Sequence, residues 1–295
     1  MAFRPLIAAS FCFLSILFRT GTATAQVVTG SISSSTTQQA VPFANVGLPH
    51  RNLGTVSDEQ GRYQLSYNPA YAADTVRISS IGFQPRLIPF AALFSQPSLT
   101  LIPQEVALKE VSVAAASIYQ HTSTVGLATP APRTDFHMMA NALGTEIGAL
   151  IHLPKHPALV QSLHVAVVKN EAGPLTFRLN LYRLDAQGQP TTEKLLQRDV
   201  LLTAKPEAGV LTVDLSADHL VLDEDFLLGL EWVKGADTSS VDLTKQIRFG
   251  GALHYGGRLY IRLASQAAWV KPTVKSNLPL LGKRPTVALY ATVKD

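Results

Sequence analysis

The sequence predicts an all-β protein that consists of two successive β-sandwich domains. Apolar and polar residues alternate with a period of two, which is typical of strands with one buried face, most regularly in 53–83 and in TFRLNLYRL at 176–184. Turn residues such as Asp58-Glu59-Gln60-Gly61 separate these strands at the spacing of an antiparallel sandwich. The 295 residues are also enough for two domains with separate cores.

The first 25 residues are expected to be a signal peptide that is removed on export. Arg4 supplies a positive start, 6–18 is an apolar run shorter than a membrane span, and Ala23-Thr24-Ala25 is a small-x-small cleavage signal before Gln26. The single cysteine, Cys12, lies in that run, so the mature chain would have no disulfide and no thiolate. We therefore expect the protein in the periplasm, on the outer-membrane surface or outside the cell.

The first domain is predicted from three short strands in 53–83. Its apolar residues fall on alternate positions around the turn residues; they are Val56, Tyr63, Leu65, Val76 and Ile78. Gly61 closes the tight turn after Gln60, where a positive φ is expected. This pattern favours half-buried antiparallel strands over helices.

Motifs over about 26–113 resemble a known family. They are Gly30-Ser31-Ile32, VPFANV at 41–46, GTVSD at 54–58, Gly61-Arg62-Tyr63 and LKEVSV at 108–113. Together they resemble the carboxypeptidase regulatory-like domain, which implies a transthyretin-like β-sandwich of the kind found in envelope proteins of Bacteroidetes-type bacteria. The zinc-peptidase domain of the enzymes that gave the family its name is not expected, because no histidine is followed three residues later by a glutamate.

A linker is predicted at 114–140, with the domain boundary between Pro103 and about Thr145. Residues 114–134 are rich in alanine, serine, threonine and proline, a composition that buries little apolar surface.

The second domain, 141–295, is predicted as a second β-sandwich, and each of its strands is expected to bury one face. The strands are predicted at 160–168, 175–184, 194–203, 210–215, 226–233, 259–264 and 286–293. In the second of these, Phe177, Leu179 and Leu181 are expected to point one way and Arg178, Asn180 and Tyr182 the other. The strands Phe177–Tyr182, 226–232 and 259–262, followed by Trp269, resemble a jelly-roll module of bacterial surface proteins.

No catalytic, metal or cofactor site is predicted. His152 and His156 have helical metal-ligand spacing, but Pro154 between them favours a solvated loop. The acidic run 223–225 lacks the spacing of a calcium loop and is interpreted as a polar turn. Gly250-Gly251 and Gly256-Gly257 are interpreted as a hairpin or bulge pair, and no Gly-x-Ser-x-Gly motif is present. A dispersed carboxylate pair stays open as an alternative.

A charge bias indicates where the second domain could bind a partner. Residues 245–295 hold nine basic residues and one acidic residue, whereas 114–244 hold nine basic and fifteen acidic residues. A positive patch near exposed aromatic residues would suit an anionic glycan, although solvated strand faces and aromatic core residues explain the same pattern. The predicted partner-binding residues are Tyr255, Arg258, Tyr260, Arg262, Trp269 and Lys271.

These observations predict an exported, non-catalytic envelope or cell-surface protein whose second domain binds a polysaccharide or a protein partner. A small outer-membrane β-barrel component and a cryptic glycan or peptide hydrolase are the alternatives. Nucleic acid is not an expected partner, because removal of Arg4 and Arg19 leaves 23 basic against 21 acidic residues. The sequence leaves the ligand and the oligomeric state open.

Overall fold

The computed structural model describes residues 26–104, 119–138, 143–235, 246–272 and 282–295. The predicted signal peptide, the start of the predicted linker and the predicted alternation at 108–113 therefore lie outside the described residues. Within these ranges the protein is nearly all β, which confirms the predicted fold class. No described helix has the length and hydropathy needed to span a lipid bilayer.

The first sandwich consists of a three-stranded and a four-stranded sheet. Its strands are β1 (Gln26–Ser34), β2 (Asn45–Leu48), β3 (Leu53–Val56), β4 (Arg62–Tyr67), β5 (Thr75–Ser79), β6 (Arg86–Pro89) and β7 (Ser98–Leu101), with one short helix, α1 (Ala92–Ser95). The sheet orders are β4-β1-β7 and β3-β2-β5-β6. The five apolar residues on which the prediction rested are all buried, as the alternation required.

Gly61 adopts the predicted left-handed backbone. Its φ is +73°, its N–H donates to the carbonyl of Asp58, and the Asp58 carboxylate accepts from the backbone N–H groups of Gln60 and Arg62. A Cβ atom at Gly61 would lie 2.4 Å from the carbonyl oxygen of Ile32. A side chain at this position would therefore meet both backbone strain and a backbone clash.

We expect Gly61→Val to lower the free energy of unfolding by at least about 1–2 kcal/mol, the usual cost of a left-handed conformation for a residue with a Cβ atom. Urea unfolding of the mature chain measures the change. Gln60→Val, at the exposed neighbouring position, is the control and should change stability little. Equal effects of the two substitutions would contradict the assigned turn.

The second sandwich packs a six-stranded sheet on an eight-stranded sheet. Its strands are β8 (Thr122–Gly126), β9 (Asp135–Met138), β10 (Glu146–Ile151), β11 (Ala158–Asn170), β12 (Leu175–Leu184), β13 (Pro190–Lys194), β14 (Val200–Ala204), β15 (Gly209–Asp214), β16 (Val221–Leu222), β17 (Phe226–Lys234), β18 (Ile247–His254), β19 (Leu259–Arg262), β20 (Arg284–Val287) and β21 (Leu289–Lys294). The six-stranded sheet has the order β13-β12-β17-β10-β19, with β14 beside β12. The other has the order β20-β18-β11-β21-β8, with β15 and β16 on β11 and β9 on β18. Phe177, Trp232 and Phe249 pack in the core between the sheets. The resemblance of the second sandwich to a jelly roll stays a prediction.

Part of the predicted linker is strand. β8 pairs with β21 and β9 pairs with β18, and both lie within 114–140. Val125 and Met138 are buried in the core of the second sandwich. The predicted linker was wrong for these two segments, because threonine and serine are compatible with strands and the pairing partners follow more than 100 residues later in the chain.

Some predicted strand boundaries also change. The predicted strand 194–203 is two strands, β13 and β14, and 286–293 is divided between β20 and β21. Gly250 and Gly251 lie inside β18 rather than at a hairpin. A Cβ atom on Gly250 would lie 2.7 Å from Pro130, and one on Gly251 would lie 2.2 Å from the ring of Phe136. Close packing of the 130–136 segment therefore requires these glycines.

Candidate functional site

Both faces of β12 are buried. Phe177, Leu179 and Leu181 point into the core as predicted, but Arg178, Asn180 and Tyr182 on the opposite face are at most 1% exposed. The prediction that each strand buries only one face was therefore wrong for β12. The first sandwich covers this polar face, and its residues Phe43 and Asn45 contact it directly.

Arg178 connects the two sandwiches. Its guanidinium donates to Oε2 of Glu231 at 3.0 Å and to Asp199 at 3.0 Å within the second sandwich. It also donates to the carbonyl of Phe43 at 2.9 Å and to Oδ1 of Asn45 at 2.8 Å in the first. Burial lowers the pKa of the Arg178 guanidinium, but the neighbouring carboxylates of Glu231 and Asp199 raise that pKa by more. The group therefore stays charged.

Glu231 is the anion at the centre of this arrangement. Its carboxylate accepts from Arg178, from Nδ2 of Asn180 at 3.0 Å and from Nδ2 of Asn45. Burial would raise the pKa of Glu231, but Arg178 and Lys194 outweigh burial and hold that pKa at about 2. Asn45 also donates to Oγ of Ser265 at 2.9 Å, so it bonds two separate segments of the second sandwich.

Glu146 lies beside Glu231 and pairs with a different cation. Its carboxylate accepts from Asn180 at 2.8 Å, from the Tyr182 hydroxyl at 3.0 Å and from Arg262 at 3.3 Å. Burial raises the pKa of Glu146, and the negative charge of Glu231 adds to this rise while Arg262 opposes it. Asn180, which donates to both carboxylates, reduces the repulsion between them.

The two sandwiches approach each other at backbone distance. Cβ atoms on Gly47 of β2 and Gly54 of β3 would lie 2.0 Å and 2.3 Å from the carbonyl oxygen of Ser265. Phe43 and Val56 of the first sandwich pack against Val233 of the second. Together with the buried polar network, these contacts hold the described parts of the two sandwiches as one unit.

A cleft of about 600 Å³ opens between the sandwiches beside this network. We call it the interdomain cleft; its polar lining includes Asn45, Arg77, Ser79, Ser80, Thr192, Lys194, Arg262 and Gln266. Ile81, Phe83, Leu195 and Leu196 supply apolar surface. A cleft of this size and mixed lining can hold a small organic ligand.

Four cationic side chains line the interdomain cleft among the described residues, Arg77, Arg183, Lys194 and Arg262. Arg77 of β5 donates to Oγ of Ser79 at 3.0 Å and to Gln266, and it forms no ion pair with a described residue. Burial lowers the pKa of Arg77, and the positive charge of Arg262 lowers it further. The side chain of Lys194 in β13 makes no hydrogen bond or ion pair with any residue that the structure describes, whereas its backbone pairs with Tyr182 of β12. Burial and the charge of Arg178 lower the pKa of Lys194 to about 8.

Two buried donors, on Arg262 of the cleft lining and on the neighbouring Trp269, have no acceptor among the described residues. Arg262 is 94% buried, since its relative exposure is 6%, and its Nε–H has no hydrogen-bond partner in the described residues. Its guanidinium carbon lies 4.2 Å from the centre of the Trp269 ring, and the indole Nε1–H is also unpartnered. Buried donors without acceptors cost free energy unless a further acceptor satisfies them.

The predicted partner-binding residues do not form one exposed patch. Tyr260 and Arg262 are buried, Trp269 and Arg258 are half-buried, and Lys271 lies 5.3 Å from the Tyr260 ring. Tyr255 is 66% exposed but contacts Lys283 rather than the others. Of the six residues, only Arg262 lines the cleft. The expectation of a solvated basic surface is wrong for Arg262, because its charge is paired with a buried glutamate.

The histidine motif at 152–156 and the acidic run 223–225 contact each other in the structure. Nδ1 of His152 lies 2.6 Å from the Asp225 carboxylate, which also accepts from the backbone N–H of Leu153, so the acidic run forms a turn before β17. In the described ranges no group of three or more histidine, cysteine or acidic side chains is placed to hold a metal ion.

Sequence reasoning missed Arg77, Glu146, Lys194 and Glu231. The available signal was the position of charges within otherwise apolar strands, since Glu231 interrupts FLLGLEW at 226–232 and Glu146 precedes the apolar run of β10. A charge in a strand that is otherwise apolar on both faces indicates a buried partner.

The geometry defines a two-sandwich protein with a ligand-sized cleft between the sandwiches. Residues 28–113 match the model of the CarboxypepD_reg-like domain family, so the first sandwich is a carboxypeptidase regulatory-like domain. The predicted resemblance is thereby confirmed. The match is compatible with a non-catalytic binding protein.

Comparisons with whole proteins add no function. No curated protein matches the sequence. A solved structure of the cysteine protease and lectin-like domains of Cwp84, a surface layer associated protein of Clostridium difficile, is similar with 8% identity and a TM-score of 0.37 over 84% of this chain and 50% of that chain. The infectious bursal disease virus Gt strain structure is similar with 13% identity and a TM-score of 0.24, over 91% of this chain and 59% of that one. This chain thus spans about half the length of the Cwp84 chain. Similarities with these TM-scores do not indicate a shared function.

Proposed function

We propose that this protein is an exported, non-catalytic binding protein of the cell envelope, and that it binds a polysaccharide in the interdomain cleft. The observation that carries the proposal is the cleft itself, which both sandwiches line with hydrogen-bonding side chains around a floor fixed by buried ion pairs. The site differs from the sequence-based expectation, in which the second domain alone bound the partner.

The lining supports a saccharide ligand. Hydroxyl and amide side chains can both donate to and accept from sugar hydroxyls; those in the cleft are Asn45, Ser79, Ser80, Gln104, Thr192, Gln197 and Gln266. Phe83 adds an apolar surface for a ring face. The network beneath the cleft fixes Asn45 and Arg262 through buried bonds, so the site is preorganised and little side-chain entropy is lost on binding.

The buried carboxylates support a non-catalytic role. Glu146 and Glu231 are bonded on all sides by Arg178, Asn180 and Arg262, and neither lines the cleft. Two carboxylates that hydrolyse a glycosidic bond must flank the bond itself. The hydrolase alternative would therefore need other residues.

A steric block of the cleft tests the proposal without assuming the chemistry of the ligand. Thr192 is an exposed residue of β13 that lines the cleft, and Thr203 is an exposed strand residue of β14 outside it. We expect the mature chain and Thr203→Trp to bind the same members of a bacterial polysaccharide array and Thr192→Trp to lose that binding. Binding that survives Thr192→Trp would place the ligand elsewhere, and binding to no polysaccharide or turnover of one would overturn the proposed function.

A further inference from the structure

Among the described residues that line the interdomain cleft, four are cationic, Arg77, Arg183, Lys194 and Arg262, and one is a carboxylate, Glu193. Glu146 pairs with Arg262 and Glu231 pairs with Arg178, and both glutamates lie beneath the floor rather than in the lining. Arg183 also lines the cleft, but Glu193 and Glu224 pair with it. Arg77 and Lys194 are therefore the cleft charges without an ion-pair partner among the described residues.

Arg262 gives a second, independent indication of an anionic acceptor. Its terminal nitrogen NH1 donates to Glu146 and to the Tyr182 hydroxyl, and its Nε–H is buried out of reach of a ligand, whereas its other terminal nitrogen, NH2, donates to no described residue. A guanidinium presents several donors in a fixed plane, which suits an oxyanion better than a neutral hydroxyl. The unpartnered donor belongs to a side chain of the cleft lining itself.

We propose that the interdomain cleft selects acidic saccharides, with Lys194, Arg77 and Arg262 as the donors to a carboxylate or sulfate group of the sugar. This inference rests on the proposed function and specifies the chemical class of its ligand. Burial and the charge of Arg178 disfavour the charged form of Lys194 in the free protein, while Glu231, Glu146 and Asp199 favour it, and an anionic group in the cleft would add to the effect of these carboxylates.

The affinity should depend on pH through Lys194. The charged groups around it are Arg178 of β12, Glu231 of β17, Glu146 of β10, Asp199 before β14, and Arg77 and Arg262 in the same cleft. With a pKa of about 8, Lys194 is charged below that pH and neutral above it. Affinity for an acidic sugar should therefore fall between about pH 7 and pH 9, while the acid groups of the sugar stay ionised throughout.

The test uses the mature chain and three tetrasaccharides: an oligogalacturonate, a sulfated galactan and an unsubstituted galactan. Titration calorimetry should show binding of an acidic tetrasaccharide and little binding of the neutral one. The two acidic probes distinguish a carboxylate from a sulfate. Binding should weaken with added salt, because the screening length falls below about 8 Å above physiological ionic strength.

Lys194→Met keeps the length of the side chain and removes its charge. We expect a loss of about tenfold in affinity for the acidic probe, the order expected for one hydrogen bond to a charged group, and the loss of the pH dependence. Lys205→Met, at an exposed position outside the cleft, should leave both unchanged. Circular dichroism confirms that both variants are folded.

The outcomes separate this inference from the proposed function. If the neutral galactan binds as well as the acidic probes, and Thr192→Trp abolishes that binding, the cleft site stands and the acidic selectivity is wrong. Equal acidic-probe binding by wild type and Lys194→Met at pH 7 would also overturn the inference. If none of the three probes binds, the acidic selectivity is wrong for these sugars, and the polysaccharide array decides the proposed function separately.

Discussion

Arg178→Met should destabilise the protein by about 3–5 kcal/mol, the cost of leaving one member of a buried ion pair uncompensated. The substitution keeps most of the apolar volume but removes the cation of Glu231 and the donor to the carbonyl of Phe43 and to Asn45. Urea unfolding at pH 7 measures the loss. Arg198→Met removes an exposed pair with Asp218 and is the control, because exposed pairs contribute about 0–1 kcal/mol.

The pH dependence of Arg178→Met identifies the responsible carboxylate. In the wild type the pKa of Glu231 is lowered to about 2, so its contribution to stability is complete above its usual pKa and is lost as the pH falls toward 2. Without Arg178 that pKa rises, so protonation relieves the buried charge and the deficit should shrink at acid pH. Adding Glu231→Gln to Arg178→Met should recover most of the loss at pH 7. A deficit no larger than that of Arg198→Met would contradict the central role of this pair.

Gly47→Val should disrupt the contact between the sandwiches while leaving each core intact. A Cβ atom on Gly47 would lie 2.0 Å from the carbonyl oxygen of Ser265, a backbone atom of the other sandwich, so the sandwiches must move apart. Valine itself favours a strand, so the expected cost of about 1–3 kcal/mol comes from overpacking at the interface. Separation would also open the cleft and weaken ligand binding.

Urea unfolding and small-angle X-ray scattering measure these two effects. Gln64→Val introduces the same side chain at an exposed position of β4 and is the matched control. We expect a lower unfolding midpoint and a larger radius of gyration for Gly47→Val only. Indistinguishable values for the two variants would show that the close approach of Gly47 to Ser265 does not hold the sandwiches together.

The sequence by itself determined the class of the fold and the identity of the first domain. Strand alternation is a local property, because successive side chains point to opposite faces, and so the apolar positions around Gly61 could be identified without a structure. The turn at Gly61 was equally local, since its geometry depends on one backbone angle and one aspartate. The family motifs in 26–113 extended the prediction from single strands and one turn to the whole first sandwich.

Only the tertiary structure decided which polar residues are buried and where the site lies. Arg178 and Asn180 have the alternation of a solvated strand face, and nothing within β12 indicates that Asn45, more than 130 residues earlier, covers them. The same alternation is expected whether water or a second domain contacts the polar face of β12. Lys194 and Arg77 likewise come together from different sandwiches. A cleft between domains depends on long-range contacts that the local period of a strand does not encode.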